Sequence, residues 1–215
     1  MGTKVKPARR YDSTGRKEAA QQRRAAIIAS ASRHFVREGF AGTTIAKIAE
    51  DAGVSQETVY KTFGNKIALV RAIRDQALSG EGPEHAERRS DRMQARESDP
   101  RKIVRGWGVL TMEVAPRVAP ILLLVRDAAA SDPELARLQE EMDAARLTRM
   151  THNARTLLTG GHLRKGITLR VATDVLWTYS SPELYELLVI RRGWMLERYG
   201  QFIADAMIAA LLPFP

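Results

Sequence analysis

Within the run Thr43–Phe63 (TTIAKIAEDAGVSQETVYKTF), the polar side chains Gln56, Glu57, Tyr60 and Lys61 share one face of a short helical segment. Their chemistry is that of recognition. A glutamine amide can both donate to and accept from an adenine edge, a glutamate can accept from cytosine, and tyrosine and lysine can reach phosphates. A solvated face gives no reason to expose Tyr60. Glu57 has a second reading as part of the helix cap. For the run as a whole, the alternative is a helical hairpin that only packs.

The elements that must position this face are also legible. Ala49 is small enough for two helices to cross closely, and Gly53, four residues on, supplies the positive φ that the turn needs. Ile48, Ala52, Val54 and Val59 form the seam between them, which is helix-turn-helix spacing. Thr43–Thr44 offers an N-cap for a helix over Ile45–Ala52, and Ser55 caps the next. Before them, Ile27, Ala31 and Phe35, with Ile28 and Val36, predict a helix from Arg16 that Gly39 stops. After them, Asn65 caps a fourth helix through Leu69, Ile73 and Ala77.

Bond-making chemistry finds no support. There is no cysteine, the four histidines (His34, His85, His152, His162) lack metal-ligand spacing, and no nucleophile elbow, Walker A loop or dinucleotide fingerprint occurs. Glu140, Glu141 and Asp143 read as a solvated helix face. The expectation is a protein that is not an enzyme, with no catalytic residues, metal or cofactor.

The formal net charge of +9 is uneven: residues 1–75 hold 15 Lys/Arg against 7 Asp/Glu, and residues 76–215 hold 19 against 18. A basic segment joined to a near-neutral body suggests a polyanion partner, either nucleic acid or an anionic membrane surface. Residues 1–15 read as a flexible basic arm, in which Arg9 and Arg10 could follow a minor groove or make non-specific phosphate contacts.

The remaining segments are helical in pattern. Residues 79–100, polar and of both charge signs, read as the end of the fourth helix, a connection and an exposed start to the fifth. Pro100 starts a helix to about Val114 that Pro116 and Pro120 kink or end, and Ile121–Ala130 is short and apolar. Asp132–Pro133 opens a long helix to about Leu158, ended by Gly160–Gly161; Val171–Tyr179, Pro182–Ile190 and Met195–Leu212 follow. No alternating strand is found, so the fold class is all-α. The longest apolar run, Val118–Val125, falls short of the roughly 18 residues of a membrane span, and the N-terminus lacks a secretory h-region. A cytoplasmic protein without membrane association is expected.

In the C-terminal half, Trp107, Met112, Met142, Met150, Trp177 and Tyr179 either fill the core or line a cavity for a small, neutral, hydrophobic ligand, with His152, Asn153, Thr178 and Tyr179 to orient it. Two apolar stripes, Leu184, Tyr185, Leu187 and Leu188, then Tyr199, Phe202, Ile203, Ala206 and Ala210, either pack within the chain's own core or, with two helices from each copy, form a four-helix bundle about a two-fold axis.

The run Phe40-Ala41-Gly42-Thr43-Thr44-Ile45, then Ile48-Ala49, Ala52-Gly53-Val54-Ser55, Thr58-Val59-Tyr60, Phe63, Lys66 and Leu69 closely resembles the tetracycline-repressor-like (TetR) family. Ser181–Leu188 with Arg192-Gly193-Trp194 is similar to one C-terminal subtype of it. The resemblance implies an all-helical homodimer in which a helix-turn-helix three-helix DNA-binding domain (residues 16–65) follows the arm. A linking helix (66–78) would join it to a ligand-sensing and dimerisation domain (79–215). It implies a double-stranded DNA operator as partner and repression relieved by a small hydrophobic ligand. Thr43 and Thr44 would start the second helix against the DNA backbone, and Gln56, Glu57, Tyr60 and Lys61 would lie on the recognition helix. Lys66 would contact a phosphate, in keeping with a full charge at a helix N-terminus. An architectural DNA-binding protein with a filled core, and a helical module for membranes or proteins, remain alternatives.

Overall fold

The computed structural model describes residues 14–80 and 84–214. They form α1 (Thr14–Gly42), α2 (Ile45–Asp51), α3 (Gln56–Phe63), α4 (Lys66–Ser79), α5 (Ala86–Arg96), α6 (Pro100–Ala129), α7 (Pro133–Thr159), α8 (Leu169–Tyr179), α9 (Pro182–Tyr185) continuing as a π-helical segment Glu186–Arg191, and α10 (Leu196–Leu211). No strand occurs among the described residues. Arg9, Arg10 and the arm up to residue 13 lie outside them; Thr14 and Gly15, expected in the arm, already belong to α1.

The first four helices begin and end where their caps dictate. Gly39 takes φ 74° and breaks α1, which resumes as a short turn to Gly42. The hydroxyls of Thr44 and Ser55 and the amide oxygen of Asn65 accept from the backbone N–H groups of Lys47, Thr58 and Ala68, so each following helix has a satisfied first turn.

Two expectations fail beyond α4. The polar connection over residues 79–100 contains a full helix, α5. It has almost no apolar period, because its inner face is polar: Ser90 and Gln94 are buried, and Gln94 Nε2 donates to Ser90 Oγ (3.0 Å) and to Asn153 Oδ1 on α7 (3.3 Å). Ion pairs fasten it, Arg89 to Glu113 on α6 through two bonds of 2.7 and 2.6 Å, and Asp91 to Arg149 on α7 at 2.8 Å. Secondly, Pro116 and Pro120 do not end their helix; α6 runs through both for 30 residues. Each proline removes one backbone donor, yet α6 is the central element, packed by α1, α4, α5, α7, α9 and α10, and that packing overrides the local penalty. Because it is continuous, α6 is long and apolar enough by composition to cross a membrane, which the short Val118–Val125 run did not suggest. Ile103, Val104, Ala119, Ile121, Leu123 and Val125 are buried against the surrounding helices, and 28% of its most apolar window is buried.

α6 and α10 cross at two glycines. A Cβ on Gly108 would lie 2.6 Å from the Gly200 carbonyl oxygen and 2.9 Å from Ala204 Cβ, and one on Gly200 would collide with Met112. The core divides into two clusters. The first joins α1–α4 (Ile27, Phe35, Ile48, Val59, Leu69, Val70) to Ile121 and Val125 of α6 and Leu135, Leu138 and Met142 of α7. The second joins the first half of α6 and the end of α7 to α8–α10. The N-terminal helices therefore share a packed core with the C-terminal half.

Candidate nucleic-acid interface and sensor cavity

The α2–α3 turn is built by backbone hydrogen bonds: Ala52 N to Ile48 O, Gly53 N to Glu50 O and Val54 N to Ala49 O, at 2.9, 3.1 and 2.9 Å. Gly53 takes φ 66° there, which an L side chain would resist. Ile48, Ala49 and Val59 are buried, and Ser30 Oγ donates to Ile48 O from α1. A charged network clamps α2 on α1. Glu38 accepts from Lys47 Nζ (2.6 Å), Arg37 Nη2 (2.6 Å) and the His34 ring (2.9 Å), and these donors hold its carboxyl at about 2; Arg33 pairs with Asp51 at 2.6 Å.

With α3 held in this way, Gln56, Glu57, Tyr60 and Lys61 form one exposed face, and Tyr60 is 52% exposed. Thr44 is exposed beside it, its hydroxyl engaged as the α2 cap. Two expected DNA contacts point elsewhere. Thr43 is buried, because its hydroxyl donates to the Gly39 carbonyl (2.8 Å) and closes the turn between α1 and α2. Lys66 is half-buried: its Nζ donates to the Phe40 carbonyl at 2.6 Å and sits over the Phe40 ring at 4.2 Å. Desolvation lowers its pKa. A neighbour that sequence reasoning missed is Arg24 of α1, whose guanidinium lies 4.6 Å from the Phe63 ring at the end of α3. Nothing in a helical period singles out such a stack.

In the C-terminal half a cavity of about 690 Å³ lies among α4–α10. One wall is a stripe of α6 (Trp107, Leu110, Val114, Val118 and Leu122, with Thr111), and the facing stripe of α7 carries Met142, Arg146, Arg149, Met150 and Asn153. Arg74 and Leu78 of α4 also line it. Of the residues proposed from sequence for a ligand, Trp107, Met142, Met150, His152 and Asn153 line the cavity, whereas Met112, Trp177, Thr178 and Tyr179 do not. Met112 packs against Gly200 at the α6–α10 crossing. Trp177 lies under the Arg146 guanidinium at 4.2 Å, and Tyr179 packs on the second core cluster. Tyr185 and Tyr199, assigned from sequence to the dimer stripes, line the cavity instead. Their rings meet edge-on at 5.7 Å, and burial raises both phenol pKa values.

The expected dimer stripe also divides. Tyr199 and Ile203 are buried within their own chain, because the 199–203–207 face of α10 packs on the second core cluster. Leu184 and Leu188 are half-buried against that cluster. Ala206 is half-buried, and Leu187 and Phe202 remain exposed, joined by Ile190 and Met195, which the sequence reading omitted; Met195 is 71% exposed. Phe202 meets Trp194 edge-on at 5.5 Å.

Residues 27–73 match the family described as bacterial regulatory proteins, tetR family. The HTH-type transcriptional regulator TtgR of Pseudomonas putida is 51% identical over 59 residues, 27% of this chain and 28% of that protein. The match therefore spans less than a third of that relative. Two solved structures align along most of the chain. NalD, titled the secondary repressor of the MexAB-OprM multidrug efflux pump in Pseudomonas aeruginosa, has a TM-score of 0.67 at 20% identity, covering 91% of this chain and 98% of that one. FadR from Bacillus subtilis, titled a transcriptional regulator in complex with stearoyl-CoA, has a TM-score of 0.71 at 17% identity, covering 87% and 98%. At these identities the likeness is one of fold. Residues 27–73 are a tetR-family helix-turn-helix module, and the described chain around it has the fold of a TetR-like transcriptional regulator.

Proposed function

We propose that the chain is a ligand-responsive DNA-binding transcriptional regulator, a repressor that a small, largely apolar molecule releases from a palindromic operator. Its DNA-reading unit is residues 14–65, its linking helix residues 66–78, and its sensing and dimerisation part residues 79–215. Gln56, Glu57, Tyr60 and Lys61 face the major groove and Thr44 the backbone at the start of α2. Two protomers, paired through Leu187, Ile190, Met195, Phe202 and Ala206, present their α3 helices to successive major grooves about 34 Å apart. It works in the cytoplasm, where the DNA is, and has no catalytic role.

The observation that carries this reading is the course of α4. Its N-terminus follows α3 after two residues, Gly64 and Asn65, while Arg74 and Leu78 near its other end line the cavity. A ligand that favours a different position of α4 would move the reading helix. It can weaken DNA binding only by the ratio of its affinities for the two arrangements. The repressor named among the structural neighbours, and the one that holds stearoyl-CoA, support the two halves of the reading. The test is a gel shift of the full chain on the DNA upstream of its own gene. A discrete band that resists excess non-specific competitor is expected. Binding that competitor removes in proportion to its mass would overturn the proposal.

A further inference from the structure

The cavity walls are unlike each other. The α6 stripe is apolar apart from Thr111, whereas the α7 stripe places Arg146 and Arg149 among Met142, Ala145, Met150 and Asn153, at the 3–4-residue spacing of one helix face. With Arg74 the lining holds three guanidinium groups and one carboxylate, Glu87, besides His85 and His152. The acids that pair with the arginines stand off the wall. Asp91 bonds Arg149 Nη1 (2.8 Å) and also meets His152 Nε2 (3.1 Å), Asp143 bonds Arg146 (3.2 Å), Asp75 bonds Arg74 (2.7 Å), and none of the three lines the cavity. The side chains of Arg149 and Arg146 are 13% and 14% exposed, against 47% and 45% for Asp91 and Asp143. The positive ends are inside and the negative ends outside.

Hydrogen-bond accounting points the same way. Arg146 is satisfied by the Trp177 carbonyl, Ser180 Oγ and Asp143. Arg149 is not: its Nη2 is buried without a partner, as is Nε1 of Trp107 on the opposite wall. Both atoms can only donate. A buried donor left unpaired is costly, more so on a charged group, and an anionic acceptor that reaches it supplies the missing bond.

Building on the proposed sensor cavity, we infer that its ligand is an amphipathic organic anion. Its apolar body lies along Leu110, Val114, Val118 and Leu122, and its acid group lies against the α7 wall at Arg149, whose buried Nη2 it pairs once the side chain turns toward the cavity. This replaces the neutral molecule expected from sequence. In the sequence the two arginines are lost among the polar residues of α7; only the α7 register brings them onto the cavity wall.

The test uses two probes of one skeleton, anilinonaphthalene sulfonate and the uncharged phenylnaphthylamine, both fluorescent in apolar surroundings. They are titrated into the full chain and into Arg149→Gln, Asp91→Asn and Val118→Trp. The wild type is expected to bind one sulfonate per chain, about tenfold or more tighter than the amine, the scale of one charge-assisted hydrogen bond. Arg149→Gln should erase that preference without weakening the amine. Asp91→Asn breaks the same ion pair but keeps the guanidinium, and should retain the preference. The inference is overturned if the wild type does not prefer the sulfonate, if Arg149→Gln still does, or if Asp91→Asn loses the preference equally, since the arginine would then be a structural strut. In those cases amine binding that Val118→Trp abolishes leaves the cavity reading standing. If neither probe binds, or if the filled variant binds both unchanged, the cavity reading falls as well.

Discussion

Lys66 separates two physical accounts of the α3–α4 junction, so Lys66→Met is an informative perturbation. In the structure its Nζ donates to the Phe40 carbonyl at 2.6 Å and lies 4.2 Å from the Phe40 ring, tying the start of α4 to the end of α1. A charge-assisted hydrogen bond contributes roughly 1.5–3 kcal/mol and a cation–π contact at a partly exposed site roughly 0.5–1. Methionine keeps the apolar stem and removes the desolvation cost that lowers the lysine's pKa. The net loss should be about 2 kcal/mol, a fall of about 4–8 °C in Tm for a chain of this size. Thermal unfolding measures it directly. The companion measurement is the salt dependence of DNA binding. A lysine engaged with Phe40 leaves the slope of log K against log salt unchanged on substitution, whereas a phosphate contact would reduce it by about 0.9. An unchanged Tm together with a slope reduced by that amount would refute the reasoning and restore Lys66 to the DNA surface.

Gly108→Ala puts a Cβ 2.6 Å from a backbone oxygen that cannot give way, and overpacking should outweigh the gain in helix propensity, a net loss of about 1–2 kcal/mol measurable in urea. Phe202→Glu places a charge on the exposed apolar face and should turn the proposed dimer into a 24 kDa monomer in sedimentation at micromolar concentration, at a cost to the monomer of about 1 kcal/mol from the lost Trp194 contact; a wild type already monomeric there would remove the pairing face. Glu113, hydrogen-bonded by Arg89 and then Arg117, is held at about 2 against its ordinary 4.5. A lowered folded pKa means stability that is full above about 4.5 and is lost as pH falls towards 2. With the carboxylate about a third exposed, that contribution is on the order of 1 kcal/mol, and Glu113→Gln should flatten this part of the pH–stability curve.

Much of the reading head was legible because its determinants are local. Thr44, Ser55 and Asn65 cap the helices that follow them, Gly53 supplies the turn, and Ala49 and Val59 go inside. The rest depends on partners distant in sequence. α5 escaped because it buries Ser90 and Gln94 and is fixed by charges on α6 and α7. α6 survives its prolines through packing on six other elements. Tyr199 and Phe202 belong to one apolar stripe in sequence, yet one faces the core and the other solvent, and only the placement of α10 on α6 decides which. Thr43 and Lys66 have the chemistry of phosphate ligands, but carbonyls at Gly39 and Phe40 reach them first.

The central claim is that the exposed face of α3 reads a DNA sequence. It is tested most directly by fluorescence anisotropy, comparing the upstream duplex with a scrambled duplex of equal length and charge, for the wild type and for Gln56→Ala with Tyr60→Ala. The account predicts that the wild type prefers its own site by about a thousandfold or more, and that the double variant loses roughly 1–3 kcal/mol or more of that preference while binding the scrambled duplex nearly as before. Equal preference in wild type and variant would contradict it.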